Sequence, residues 1–195
     1  MLLEASNVSQ ENIKDLTGVK DSVQNLISRT SKNSNFGKFH YTVDTHWEGG
    51  VLCNARVRNE HNLVIDEKPI LGGCDLGVSP VELILVALGT CQEIMYSVTA
   101  TRMNIELEEC EVKLTAELDV RGMLGVKGDE DSFPGFTSID YITKLKSNAS
   151  SEQLESLINT VEKQCPVLDM LTRKVTINSS TIVNNQELSL QDKVA

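Results

Sequence analysis

The stretch Ser79-Pro80-Val81-Glu82-Leu83-Ile84-Leu85-Val86-Ala87-Leu88-Gly89-Thr90-Cys91 is the most apolar run of the 195-residue chain, and it ends on a cysteine. Ser79 carries the hydroxyl of a helix N-cap, Pro80 the fixed φ suited to a first helical position, and Glu82 a carboxylate three residues after the cap. Together they spell a capping box, in which the two side chains satisfy backbone N–H groups that lack partners in a first turn. Val81 and Leu83 to Leu88 are then apolar on every side, the mark of a helix buried all round, predicted from Pro80 to about Arg102. At 100° per residue, Ala87, Leu88, Ile94, Met95 and Val98 fall on or near the face of Cys91, so the helix carries that thiol into a dry environment.

Outward from this helix the pattern changes period. On its N-terminal side, Phe39 to Trp47 reads as a strand, Gly49-Gly50 as a hairpin turn, and Val51 to Arg58 as the return strand. There Val51, Cys53, Ala55 and Val57 share one face, with Leu52, Asn54, Arg56 and Arg58 on the other. A third strand surrounds Leu63-Val64-Ile65, and the glycine-bearing segment 71–77 reads as a flexible linker. Further upstream, Val19, Val23, Leu26 and Ile27 predict a helix over 17–29 with Thr17 as its cap, after a polar and loosely held 1–15.

On the C-terminal side, Cys110 to Arg121 alternates as a strand, 122–135 as an exposed loop with Asp129-Glu130-Asp131 at its tip, and 139–145 as a second strand. Asn148-Ala149-Ser150-Ser151 opens a helix on which Leu154, Leu157, Ile158, Val161, Cys165 and Leu168 form one apolar stripe, broken after Cys165 by Pro166. Lys174 to Val183 reads as a closing strand, followed by a polar tail. Strands gather before and after the central helix rather than alternating with helices, so the class is α+β. The organisation is an N-terminal extension with a helix (1–35), a main domain (36–185) and a polar tail (186–195).

Composition removes several functions. With 28 acidic and 18 basic residues the net charge is −10, which argues against nucleic acid or an anionic membrane as a partner. Aromatics make up 4% of the chain, too few for a base-stacking platform. Met1-Leu2-Leu3 runs straight into Glu4, Ser6 and Asn7, with no apolar core of a signal peptide, and the apolar run is short for a membrane span. A cytoplasmic protein is the expectation. Its five cysteines (Cys53, Cys74, Cys91, Cys110 and Cys165) are then free thiols, and any disulfide among them is transient and functional. No CxxC pair occurs, and His40, His46 and His61 show no zinc-like spacing with Cys53 or Cys74.

The constellation with chemistry in it is Cys91 and Cys165, each on the apolar face of a different helix. A thiol peroxidase needs one thiolate to attack the peroxide and a second thiol to condense with the resulting sulfenic acid. Spacing alone favours two structural core cysteines.

The segment SPVELILVALGTC, with Cys165-Pro166-Val167 far downstream and ECEVKLTAELDVRGMLG and PGFTSI between, resembles the osmotically inducible protein C / organic hydroperoxide resistance superfamily. The likeness runs from about Trp47-Glu48-Gly49-Gly50 to the last strand. It implies an antiparallel sheet wrapped around a long buried helix in an intertwined homodimer, and reduction of organic hydroperoxides without metal or haem. By that resemblance Cys91 is the peroxidatic and Cys165 the resolving cysteine, re-reduced by a dithiol or a lipoyl-bearing protein. In the hydroperoxide-resistance branch an arginine follows the hairpin glycines and pairs with the thiolate. Val51 stands there in this chain, and Arg56 and Arg58 on the same strand are the substitute candidates, Arg56 ahead of Arg58. The branch glutamate ten residues before the reactive cysteine corresponds to Val81. Glu82, nine residues before, is turned to the opposite side of the helix and serves as a cap. These departures leave a second function in view, an apolar small-molecule binder on the same fold with little or no peroxidase activity.

Overall fold

The computed structural model describes residues 17–126 and 133–188. The expected loose segment 1–15 and the acidic tip 129–131 lie outside them. The elements are α1 (Thr17–Lys32), β1 (Val43–Gly49), β2 (Leu52–Val57), β3 (His61–Ile65), α2 (Pro80–Arg102), β4 (Glu109–Leu118), α3 (Val120–Leu124), β5 (Phe136–Lys146), α4 (Ser151–Gln164), α5 (Pro166–Thr172), β6 (Thr181–Val183) and β7 (Gln186–Leu188). All strand pairings are antiparallel: β1-β2-β3, β4-β5 and β6-β7.

The core sits on one side of α2. Tyr96, Ala100, Ile105, Leu157 and Val161 form a buried cluster, flanked by Met95, Met103, Leu107, Cys110, Leu145 and Leu154. Gly89 lets β4 approach closely, since a Cβ there would lie 2.7 Å from Leu114 Cδ1. α2 is long and apolar enough to cross a membrane by length and composition, yet it packs on β4, α4, α5 and α1 as a core helix does.

The helix is not buried all round. Val81, Ile84, Val86 and Ile94 stay exposed. The reason is geometric: one chain supplies a single layer against α2, and the β1-β2-β3 sheet is not among the elements packed on it. That sheet is joined to the helix entrance by an isolated parallel bridge from Ile65 to Val78. Its register places Val43, Trp47, Ala55, Leu63 and Ile65 on one face, with Asp44, His46, Asn54, Arg56 and Asn62 on the other. Ala55 and Ile65 are buried, while Val43, Trp47 and Leu63 remain open.

Several local expectations change. The segment 71–77 is a built loop, not a flexible linker. Buried Asp66 accepts hydrogen bonds from the amides of Glu67 (2.9 Å), Cys74 (2.9 Å) and Leu76 (3.1 Å). The Leu76 amide above all holds the Asp66 carboxyl below its ordinary pKa. Gly73 and Gly77 are needed because a Cβ would collide with the carbonyl oxygens of Glu67 (1.7 Å) and Val64 (2.1 Å). Arg121 leaves the strand: Asp119 caps α3 by accepting from its amide, so the helix starts where β4 was expected to continue. The closing strand reduces to the β6–β7 hairpin, turned by Asn184 and Asn185 at positive φ, conformations asparagine tolerates.

Candidate functional site

The capping box at the start of α2 is formed. The Ser79 amide donates to Glu82 Oε2 at 2.9 Å and the Glu82 amide to Ser79 Oγ at 3.4 Å. Glu82 Oε1 also pairs with Lys68 Nζ at 2.8 Å. That lysine first, and then the Ser79 amide and hydroxyl, lower the Glu82 pKa to about 2. Glu82 therefore fixes the helix entrance, and its charge is spent there rather than at the thiol.

Halfway along the helix, Cys91 is half-buried. Cys165 arrives from α4 and is 1% exposed. It is at once the last cap of α4 and the first cap of α5, with φ −69° and ψ 113°, because Pro166 cannot continue the α4 hydrogen-bond ladder. The bend halts the apolar stripe at Cys165 and turns its side chain onto α2. The thiol of Cys165 donates to Cys91 Sγ across 3.5 Å. Two residues 74 positions apart in sequence are thus neighbours through their sulfurs.

The two thiols have different surroundings. Burial pushes the Cys165 pKa up, the Leu168 and Val167 amides pull it partly back, and the Cys91 sulfur raises it. On the adjoining wall, Tyr141 donates to Glu162 Oε2 at 2.7 Å. Burial and that carboxylate raise the Tyr141 pKa, so the phenol stays protonated. This pair was not singled out from sequence, although the strand alternation that put Tyr141 on the inner face of β5 was its one signal. Cys110 is a contrasting thiol: burial first and the Glu93 carboxylate second raise it to about 11, which leaves it inert at neutral pH.

Arg56 is not brought to this pair within one chain. It lies on the exposed face of β2, opposite Asp44 on β1 and Asn62 on β3, beside His46 and Asn54. Arg58 occupies the following turn at φ 55°, with Nη2 3.0 Å from His61 Nε2. Cys53 lies on the sheet and Cys74 on the Asp66 loop, both as free thiols.

The model of the OsmC-like protein family matches residues 72–180, which take in α2, Cys91 and Cys165 and reach the approach to β6. The chain belongs to the OsmC-like family. Solved structures agree at the level of fold. An OsmC-like protein from Mycoplasma pneumoniae superposes with a TM-score of 0.59 at 17% identity, covering 69% of this chain and 88% of its own. An organic hydroperoxide resistance protein from Elizabethkingia anophelis gives 0.51 at 17%, covering 69% and 91%. An organic hydroperoxide resistance protein OsmC from Legionella pneumophila gives 0.50 at 16%, covering 69% and 90%. No curated protein matches the chain. Within this OsmC-like chain, the family match takes in both Cys91 and Cys165, whereas Arg56 and the β1-β2-β3 sheet precede it.

Proposed function

We propose that this protein reduces organic hydroperoxides by a two-cysteine mechanism, as part of cytoplasmic defence against oxidative stress. The observation that carries the reading is the 3.5 Å separation of the Cys91 and Cys165 sulfurs, one half-open and the other enclosed. The Cys91 thiolate attacks the terminal peroxide oxygen. The O–O bond breaks, Cys91 becomes a sulfenic acid, and the alkoxide leaves as an alcohol after taking a proton. Cys165 then attacks the Cys91 sulfur; a disulfide of about 2.05 Å forms and the hydroxyl departs as water. An external dithiol or a lipoyl group returns two electrons through thiol–disulfide exchange. The protein's own residues suffice for these steps, with no resident cofactor.

Burial suits this division of labour. The substrate meets the accessible sulfur, while the enclosed one is reached by the sulfenic acid beside it and by little else.

The active form is a homodimer. Supporting this are the apolar faces one chain leaves open, Val43, Trp47 and Leu63 on the sheet and Val81, Ile84 and Ile94 on α2. In that assembly the partner's sheet wraps α2, and Arg56 is the candidate to bring a cation to the Cys91 thiolate. Reduced protein mixed with cumene hydroperoxide and a dithiol consumes peroxide, and Cys91→Ser abolishes that consumption. Turnover by Cys91→Ser at the wild-type rate overturns the reading. The same open apolar faces, with Arg56 held away from Cys91 in one chain, favour a second reading as a binder of apolar small molecules. Negligible peroxide turnover together with an extractable bound ligand selects it.

A further inference from the structure

A pocket lies at the far end of α2, about 16 Å along the helix axis from Cys91. It occupies about 500 Å3 between α1, the last turns of α2 and α4. Its polar lining is Lys20, Gln24, Thr99, Arg102 and Thr160, with Ile27 and Met103 as apolar wall. In a chain of net charge −10, this lining holds two cations and, among the described residues, no carboxylate.

Three features show that these cations are not consumed by the fold. Neither Lys20 nor Arg102 forms an ion pair among the described residues, although seven such pairs occur elsewhere. A basic group at a helix C-terminus ordinarily serves the unpaired carbonyls there. Here the carbonyls of Thr99, Ala100 and Thr101 already accept from the amides of Met103, Ile105 and Asn104. Lys20 Nζ donates to Asn104 Oδ1 at 2.8 Å, a neutral acceptor that holds the ammonium in place without cancelling its charge. Asn104 itself sits at φ 53°, the left-handed position just past the helix end.

Thr99 forms part of the inner wall of the pocket. It is 2% exposed, and its hydroxyl finds no hydrogen-bond partner among the described residues. Thr90 and Thr101 on the same helix instead donate back to the carbonyls of Val86 and Ser97. A buried hydroxyl left unmade is costly, and this one lies behind the pocket surface, so the donors open to a ligand are those of Lys20, Gln24, Arg102 and Thr160.

We propose that this pocket binds a small organic anion, its phosphate or carboxylate held by Lys20 and Arg102 and its apolar part lying on Ile27 and Met103. Lysine and arginine supply charge-assisted donors to such oxygens, and Gln24 and Thr160 add neutral ones. The site is separate from the thiol pair and does not depend on the redox reading.

The test is an amide NMR titration of the full chain at fixed ionic strength with inorganic phosphate, phenyl phosphate and benzoate. Saturable shifts at Gln24, Thr99, Arg102 and Thr160 support the site, with phenyl phosphate binding more tightly than inorganic phosphate. Saturation by benzoate but not by either phosphate also supports it and assigns the pocket to carboxylates. Lys20→Gln and Arg102→Gln each weaken binding about tenfold while leaving the remaining spectrum and peroxide consumption unchanged. Absence of saturable shifts with all three anions, or equal affinity in the double variant, overturns the proposal.

Discussion

The α2-β4-β5-α4 half of this chain and its three-stranded sheet treat apolar side chains in opposite ways. The first encloses Tyr96, Leu157 and Val161 almost completely, and from that rigidity it delivers Cys165 onto Cys91. The second alternates cleanly but leaves Val43 and Trp47 more than half exposed. The first half has a finished core behind one open helix face at Val81, Ile84 and Ile94, and the other presents a whole sheet face that calls for a further layer. The thiol pair lies in the finished half, whereas Arg56, its candidate activator, lies in the open one. Under the proposed function, chemistry that needs both is shared between two chains.

That contrast can be broken at several points. Leu157→Ala, in the closed half, should cost about 2–5 kcal/mol in urea unfolding, because it leaves a cavity where no solvent enters. An effect below that range would mean that the core relaxes around the site. Ser79→Ala should cost about 1 kcal/mol by removing the α2 cap.

The companion carboxylate gives a pH test. Glu82 is lowered from 4.5 to about 2, so its contribution is complete above the unfolded value and is lost as pH falls from about 4.5 through 2. An acid-unfolding profile of Glu82→Ala should therefore be flatter over that window. Equal slopes would remove Glu82 from the entrance of α2. In the open half, Trp47→Lys should barely alter the core but shift the particle in solution from twice the chain mass to 21.5 kDa. A wild-type chain already at the single mass in sedimentation would refute the two-chain account. The smallest effect concerns Cys110, whose raised pKa predicts no measurable alkylation at pH 7 while Cys91 reacts.

Sequence made the closed half legible because its signals are local. Ser79, Pro80 and Glu82 fixed the start of α2 to the residue, and the 3.6-residue stripe ending at Cys165 placed that thiol in the core. Three things were illegible for physical reasons. Apolar residues all round α2 state that the helix wants burial, but not whether one chain or two supplies it. The segment 71–77 reads as flexible by composition, since nothing in its glycines reveals that Asp66, outside the segment, gathers its amides. The pairing of Tyr141 with Glu162 joins a strand to a helix, and no spacing rule connects them. Arg56 illustrates the same limit: its face on β2 was readable, but what faces it was not.

The central claim is that Cys91 and Cys165 exchange electrons with a hydroperoxide as a pair. Peptide mass mapping after one equivalent of cumene hydroperoxide tests it directly. The account predicts a single Cys91–Cys165 disulfide in the wild-type protein and a trappable sulfenic acid at Cys91 in Cys165→Ser. Cys91 and Cys165 both recovered as free thiols, or oxidation confined to Cys53 and Cys74, would contradict it.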